Sequence, residues 1–97
     1  MDVSYEWISD KAVQNLQKHR VSFETAARVF SDPFALIEQD RFEYGEMRWR
    51  TMGFVEGYLL LVVAHTVRDD DGAEVIRIIS ARRADAKERK RYAEENR

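Results

Sequence analysis

The residues of this chain best suited to chemistry are arginines set among apolar residues, with a carboxylate and a histidine available to them. Arg77 stands between isoleucines in the segment Val75–Ser80, where a charge is costly to bury unless it is paired. Two interpretations stay open for it. Arg77 either forms an ion pair with an acidic neighbour such as Glu46, or lies on an open sheet face and clamps a phosphate, whose oxygens the planar guanidinium matches two at a time. Glu46 is then either a general base or the carboxylate that holds Arg48 or Arg77 in place.

Other candidates lie on neighbouring segments. Arg48 and Arg50 alternate with apolar residues and would form a basic stripe with the arginine of the last strand if the strands pair suitably, although any half-buried strand exposes such residues. Arg82 and Arg83 follow the last predicted strand, where functional groups often lie, or they are simply exposed. His65 ends an apolar segment. It is either a structural histidine or, because imidazole titrates near neutrality, the acid–base candidate.

The types of residue present restrict the possible chemistry. The chain has no cysteine, which excludes disulfides, cysteine-bound zinc and thiol catalysis, and its two histidines are 46 residues apart. It has no glycine-rich phosphate loop and no Gly-x-Ser-x-Gly motif. We therefore expect no metal site and no cofactor. Arginine, lysine, histidine and carboxylates remain, and these can cut a phosphodiester with a base near the ribose 2′-hydroxyl, an acid near the leaving oxygen and cations around the phosphorus.

Composition and charge indicate one globular domain over residues 1–97. The chain is 44% hydrophobic and 35% charged, with a net charge of −2. That charge is unevenly distributed, because residues 1–76 carry a net −6 and residues 77–97 a net +4. Such a basic segment is either a solvated helix with ion pairs or a surface that contacts nucleic acid. No apolar segment is long enough to span a bilayer and no leader precedes the domain, so we expect no membrane association and no secretion.

The elements that must position these residues follow from periodicity and turn signals. The predicted order is strand, two helices, three or four antiparallel strands and a terminal helix. The predicted strands are 3–7, 34–38, 47–54, 58–66 and 74–80; the helices are 9–19, 22–31 and 84–95; and turns are placed at 56–57 and 69–72. This order predicts an α+β fold, with N-terminal helices and a C-terminal helix packed on a small antiparallel β-sheet.

Several motifs, taken in order, resemble the BrnT family. The resemblance begins with Trp7–Lys11 and Asn15–Glu24, in which Arg20 stands where the family commonly has glycine. It continues through the segments Phe30–Pro33, Gly45-Glu46, Arg48-Trp49, Gly53, His65-Thr66, Arg77–Arg82, Glu88-Arg89 and Tyr92. Each motif is weak alone, but together they cover nearly the whole chain in the right order.

The resemblance implies a RelE-like fold and a function. BrnT-type proteins are toxins of type II toxin–antitoxin systems, and they act as ribonucleases that stop translation. Their partner is a BrnA-type antitoxin with a ribbon-helix-helix DNA-binding part, through which the complex contacts operator DNA. The expected function is therefore a cytoplasmic, metal-independent RNA endonuclease. The alternative is a non-catalytic module that binds the antitoxin and serves autoregulation.

The resemblance also implies site residues. The polar positions of the family fall here on Lys11, Lys18, His19, Glu46, Arg48, His65, Arg77 and Arg82. Arg48, Arg77 and Arg82 are expected as cations at the phosphate, and His65 or Glu46 as the group that transfers a proton. RNA contacts are expected from Lys11, Lys18 and His19, with Lys18 and His19 alternatively at the antitoxin interface. Arg50 and Arg83, which are suggested by their places in the predicted strand and at the strand–helix junction rather than by the resemblance, are also expected to contact RNA.

Overall fold

The computed structural model describes residues 2–56 and 59–96, which form one five-stranded sheet with helices on both faces. The strands are β1 (Val3–Glu6), β2 (Leu36–Glu43), β3 (Glu46–Val55), β4 (Leu59–Asp70) and β5 (Ala73–Arg83), and the helices are α1 (Ser9–His19), α2 (Phe23–Ala27) and α3 (Ala86–Glu95). A 3-10 helix, Arg28–Ser31, follows α2 directly. The predicted α+β class is confirmed.

The sheet order is β1-β5-β4-β3-β2, and the sheet is mixed rather than wholly antiparallel. Strands β2 to β5 form an antiparallel meander, but β1 pairs with β5 in parallel. The sequence-based prediction of an antiparallel sheet missed this pairing. A parallel neighbour needs a long connection, and here the whole chain between β1 and β5 provides it.

Two-residue turns make the strands longer than predicted. Tyr44-Gly45 joins β2 to β3 and Asp71-Gly72 joins β4 to β5, and all four residues have positive φ, as a type I′ hairpin requires. The second turn agrees with the predicted one. The other predicted turn includes Gly57, and the strand predicted after it begins at Tyr58. Both residues lie outside the described residues.

The N-terminal helices begin and end close to the predicted positions. Ser22 caps α2, because its hydroxyl accepts a hydrogen bond from the Thr25 amide at 3.1 Å. The cap position of α1 is Ile8, without a side-chain cap, rather than Ser9 or Asp10. Helix α1 ends at Arg20 in the left-handed conformation (φ 61°, ψ 27°), which explains why glycine suits this position in the resembling family. No helix in the described ranges has the length and apolar character needed to cross a membrane.

Alternating side chains give the sheet two differently covered faces. The first face lies under α1 and α2, and its core consists of Val21, Phe23, Ala26, Val29, Val55, Leu61, Val63, Ile76, Ile78 and Ala81. The second face lies under α3, with a smaller core of Met52, Leu60, Val62 and Tyr92. Because α3 covers only part of the second face, the remainder is available to polar side chains.

Asn15 joins α1 to the sheet where β1 stops. The pairing of β1 with β5 ends at Glu6 opposite Arg77, so the next residues of β5 have no strand on that side. The buried side-chain amide of Asn15 instead provides hydrogen bonds to the backbone of β5 there. It accepts from the Ala81 amide at 3.0 Å and donates to the carbonyls of Ala81 and Val21, each at 2.9 Å. Three backbone groups inside the protein therefore depend on one side chain.

We predict that Asn15→Ala lowers the free energy of unfolding by about 3 kcal/mol, because it leaves these backbone groups without their partner. Gln17→Ala, at an exposed position of the same helix, is the matched control and should change stability by less than about 0.5 kcal/mol. Denaturant unfolding of both variants measures the difference. Equal stability of the two would contradict the role given to Asn15.

Candidate active site

Two arginines of β3 lie on the second face of the sheet. Met52 of β3 packs under α3, and Arg50 and Arg48 follow at two-residue intervals, which keeps them on the same face. Both side chains are partly buried, with exposed fractions of 41% for Arg50 and 18% for Arg48. The stripe expected from alternation is therefore present, and it runs from beneath α3 toward the hairpin of β2 and β3.

A β-bulge in β5 brings two more arginines to this face. Arg77 pairs with Thr66 and Arg82 with Val62, and these two β4 residues share a face. Simple alternation would place Arg77 and Arg82 on opposite faces. The register shifts between Ala64 and His65 of β4, so Ile79 becomes an extra residue of β5 and corrects the mismatch.

Glu46, Arg48, Arg77 and Lys11 line one cleft of about 180 Å³. Glu46 and Arg77 are in direct contact through Oε1 and a guanidinium nitrogen, as the ion-pair interpretation of Arg77 requires. Both remain partly exposed, at 40% and 31%, so the pair opens to solvent rather than into the core. The cleft thus combines one carboxylate with three cations. Its remaining lining is Ile8, Tyr44, Ile78 and Ile79.

A second groove continues from this cleft along α1. Lys11 and Ile79 line both, and the second groove adds Lys18 and His19 from the last turn of α1. Its volume is about 190 Å³. The three N-terminal residues expected to contact RNA therefore lie on one flank of the Glu46–Arg77 cleft.

Arg82 and Arg50 belong to a separate ion-pair network beside α3. Arg82 donates two hydrogen bonds to Glu88, at 2.8 and 2.9 Å, and these bonds lower the pKa of Glu88 to about 2. Arg50 shares Glu38 with Arg91, whose hydrogen bond is the main cause of the lowered pKa of Glu38.

Arg82 also stands apart from the cleft. It lies roughly 15 Å along the strand from Arg77, it does not line the cleft, and its guanidinium is held by Glu88. The structure therefore does not bring Arg82 together with the residues that line the cleft, and its expected role at the phosphate stays a prediction. Glu88 also completes a capping box with Asp85 at the start of α3, so the Arg82–Glu88 pair helps to place that helix.

His65 is a core residue, contrary to the catalytic role expected for it. Its exposed fraction is 0% and its ring packs edge-on against Phe30, with centroids 4.9 Å apart. Its Nε2 shares a 2.7 Å hydrogen bond with the Thr51 hydroxyl, and its Nδ1 faces the Thr66 carbonyl at 3.4 Å. Burial lowers the pKa of His65 to about 4, so the ring is neutral at pH 7. The structural interpretation of this histidine fits, and the proton-transfer role does not.

Arg83 also lies apart from the cleft. It pairs with Leu61 of the first core, so its side chain is on the opposite face, where it borders a groove with Arg20 and Arg28. This position does not support the expected RNA contact at the cleft.

Tyr44 is the cleft residue that sequence reasoning missed. It is 86% exposed at the tip of the hairpin between β2 and β3, and the Arg48 guanidinium lies 6.0 Å from its ring centroid. A Tyr-Gly pair between two alternating segments is the signal that could have revealed a two-residue turn here.

Another groove, of about 530 Å³, contains none of the predicted site residues. Of its two carboxylates, Glu56 forms an ion pair with Arg28, and Asp32 accepts hydrogen bonds from the Phe34 amide, the Phe54 amide and the Tyr92 hydroxyl, at 2.9, 2.8 and 2.6 Å. Burial, together with Asp32, raises the pKa of Tyr92 to about 12. These contacts hold α3 and the end of the 3-10 helix to β3, which is a structural task.

Within residues 2–56 and 59–96, no group of three or more His, Cys, Asp or Glu side chains is arranged to hold a metal ion. The carboxylate of the cleft is Glu46, and its close partner is a cation.

Comparisons with known proteins agree with the motif order. A family model described as the ribonuclease toxin BrnT of type II toxin–antitoxin systems matches residues 7–88. No curated protein matches the chain in sequence. Among solved structures, the chain is similar to the crystal structure of the Brucella abortus ribonuclease toxin, BrnT. The two are 20% identical with a TM-score of 0.59, over 86% of this chain and 97% of that one. This likeness supports the fold.

We predict that the stability of the protein falls by about 2 kcal/mol between pH 7 and pH 5 because of His65. Unfolded histidine titrates near pH 6.5, whereas folded His65 titrates near 4. Between these values the unfolded state binds more protons, so the free energy of unfolding decreases as the pH falls. Carboxylates with lowered pKa, such as Glu88, contribute mainly below about pH 4.5.

Denaturant unfolding at several pH values measures this slope. His65→Gln should be nearly flat between pH 7 and pH 5, whatever its absolute stability. His19→Gln, which changes the other histidine of the chain, is the matched control. An unchanged slope in His65→Gln would show that another group causes it.

Proposed function

Because the chain belongs to the BrnT family of ribonuclease toxins of type II toxin–antitoxin systems, we propose that it is an RNA endonuclease acting without a metal ion at the Glu46–Arg77 cleft. The observation that carries the proposal is the convergence of Glu46, Arg77, Arg48 and Lys11 on one solvent-open cleft. Cleavage by the ribose 2′-hydroxyl needs a base and cations around the phosphorus, and this cleft contains both.

Glu46 is the proposed base. Its carboxylate takes the proton of the 2′-hydroxyl, the freed oxygen attacks the adjacent phosphorus, and the bond from phosphorus to the 5′-oxygen breaks. Arg77 contacts this carboxylate and so fixes its orientation, while its remaining N–H groups can reach a phosphate oxygen.

Arg48 and Lys11 are the proposed partners of Arg77 at the phosphate. Arg48 is held at 3.5 Å from Glu43, which positions its guanidinium at the cleft wall. Among the described residues, no carboxylate lies within 4.0 Å of the Lys11 ammonium. Lys11 is therefore the donor we assign to the leaving 5′-oxygen. Lys18 and His19 extend the basic flank along which the RNA strand would continue.

A type II toxin has a protein antitoxin as its partner. We propose that this antitoxin is a BrnA-like protein with a ribbon-helix-helix part, through which the complex contacts operator DNA. We propose further that RNA cleavage stops translation and takes place in the cytoplasm. Family membership and the ordered motifs support these proposals.

We predict that Arg77→Ala reduces RNA cleavage at least 100-fold, because it removes a cation from the phosphate and releases Glu46. The assay uses the purified chain and single-stranded RNA in excess chelator. Arg83→Ala is the matched control, since it changes an arginine of the same strand on the opposite face, and it should cleave within about threefold of wild type.

Arg82→Ala tests whether Arg82 supports helix α3 or takes part in cleavage. Since Arg82 pairs with Glu88, its loss should lower the melting temperature while the folded fraction keeps its cleavage rate. Full activity of folded Arg77→Ala would contradict the proposal that the Glu46–Arg77 cleft is the site of cleavage. Absence of any cleavage by the folded wild type, on free RNA and on ribosome-bound messenger, would favour the non-catalytic module.

A further inference from the structure

Tyr44 occupies a position that a tyrosine fills only at a conformational cost. It is the first central residue of a type I′ turn, with φ 52°, where asparagine, aspartate and glycine are preferred. Left-handed backbone is unfavourable for ordinary residues, because Cβ comes too close to the following carbonyl oxygen. The side chain recovers none of this by burial, because Tyr44 is 86% exposed. Strain combined with a solvated aromatic ring indicates a role outside folding.

The position of the ring relates it to the cleft. Tyr44 lines the cleft together with Arg48, Arg77 and Lys11, and its ring is 6.0 Å from the Arg48 guanidinium. Phe42, on the same hairpin, is also exposed at 68%, yet it does not line the cleft. Phe42 pairs with Met47, whose side chain alternates with that of Arg48, so the two aromatics project from opposite faces of the hairpin.

An exposed aromatic ring beside a group of phosphate-binding cations is the arrangement by which proteins hold single-stranded nucleic acid. The cations bind the backbone, and the ring stacks on a base that no pairing partner covers. We propose that Tyr44 is the stacking platform for the nucleobase next to the scissile phosphate. This inference rests on the proposed RNA cleavage and adds to it a subsite that selects an unpaired nucleotide.

The proposed platform predicts that the cleft selects single-stranded substrate. A base within a duplex is stacked on its neighbours and its faces are not accessible, whereas an unpaired base can lie flat on the tyrosine ring. Stacking is tolerant of base identity, so Tyr44 provides affinity and position with little sequence preference.

The test measures binding of fluorescein-labelled, fully 2′-O-methylated hexanucleotides, which carry no free 2′-hydroxyl for cleavage, by anisotropy. A second set carries abasic residues in place of nucleotides and keeps the same charge. Tyr44→Ala should weaken binding of the base-bearing set about 5- to 150-fold and leave the abasic set within about twofold. Tyr44→Phe and Phe42→Ala should bind like wild type, the first because it keeps the ring and the second because it lies outside the cleft.

A further variant separates binding from stability. Tyr44→Asn suits the left-handed turn, so its melting temperature should not fall below that of wild type while base-bearing binding is still lost. Equal losses for base-bearing and abasic strands would mean that Tyr44 affects binding of the phosphate backbone or the fold of the hairpin, and they would overturn the inference. Normal RNA binding by Tyr44→Ala would overturn it too, and reduced neutralisation by the antitoxin in that variant would assign the ring to the protein partner. These results leave RNA cleavage standing, whereas a wild type that neither binds nor cuts RNA would overturn both.

Discussion

The backbone groups along the outer edge of β5 form hydrogen bonds with two different partners, strand β1 and the side chain of Asn15. The candidate site depends on where the first partner ends and the second begins. Strand β1 serves the first half and ends at Glu6, opposite Arg77. The Asn15 amide serves Ala81 further along and so fixes α1 against the sheet. Because α1 lies there, Lys11 borders the cleft that Arg77 also lines. The same helix carries Lys18 and His19 along the adjoining groove.

The task of each arginine on the second face depends on the carboxylate with which it forms an ion pair. The chain is acidic overall, yet four of its strand arginines gather on one face of the sheet, where α3 leaves part of the surface uncovered: Arg48, Arg50, Arg77 and Arg82. Ion pairs with Glu38 and Glu88 turn Arg50 and Arg82 into supports for α3. Glu46 instead contacts Arg77 in a cleft that keeps further cations beside it. One row of like residues thus performs two tasks, and the identity of the neighbouring carboxylate decides which.

Much of the fold could be predicted from the sequence because its signals are local. Ser22 as a cap, Asp32-Pro33 as a stop and the turn at Gly72 depend on residues within a few positions of one another. Parallel pairing of β1 could not be predicted in this way, since nothing near Val3 in the chain specifies a partner some seventy residues away.

The site was predictable in its residue types but not in their grouping. Alternation places Arg48 and Arg50 on one face, and the possible pairing of Glu46 with Arg77 could be named from charge alone. The bulge at Ile79 has no sequence signal of its own, yet it decides where Arg82 points. His65 looked chemically suitable, and only tertiary packing against Phe30 and Thr51 makes it a buried neutral ring.

The chemistry of the cut ends tests the central claim most directly, namely that the cleft uses the ribose 2′-hydroxyl as its nucleophile. Wild-type protein is incubated with a defined RNA in excess chelator, and the fragments are analysed by mass spectrometry. We predict a 2′,3′-cyclic phosphate on one fragment and a 5′-hydroxyl on the other, with no cleavage when the nucleotide before the cut carries deoxyribose. Fragments ending in a 5′-phosphate, or continued cleavage at the deoxyribose substitution, would contradict the account.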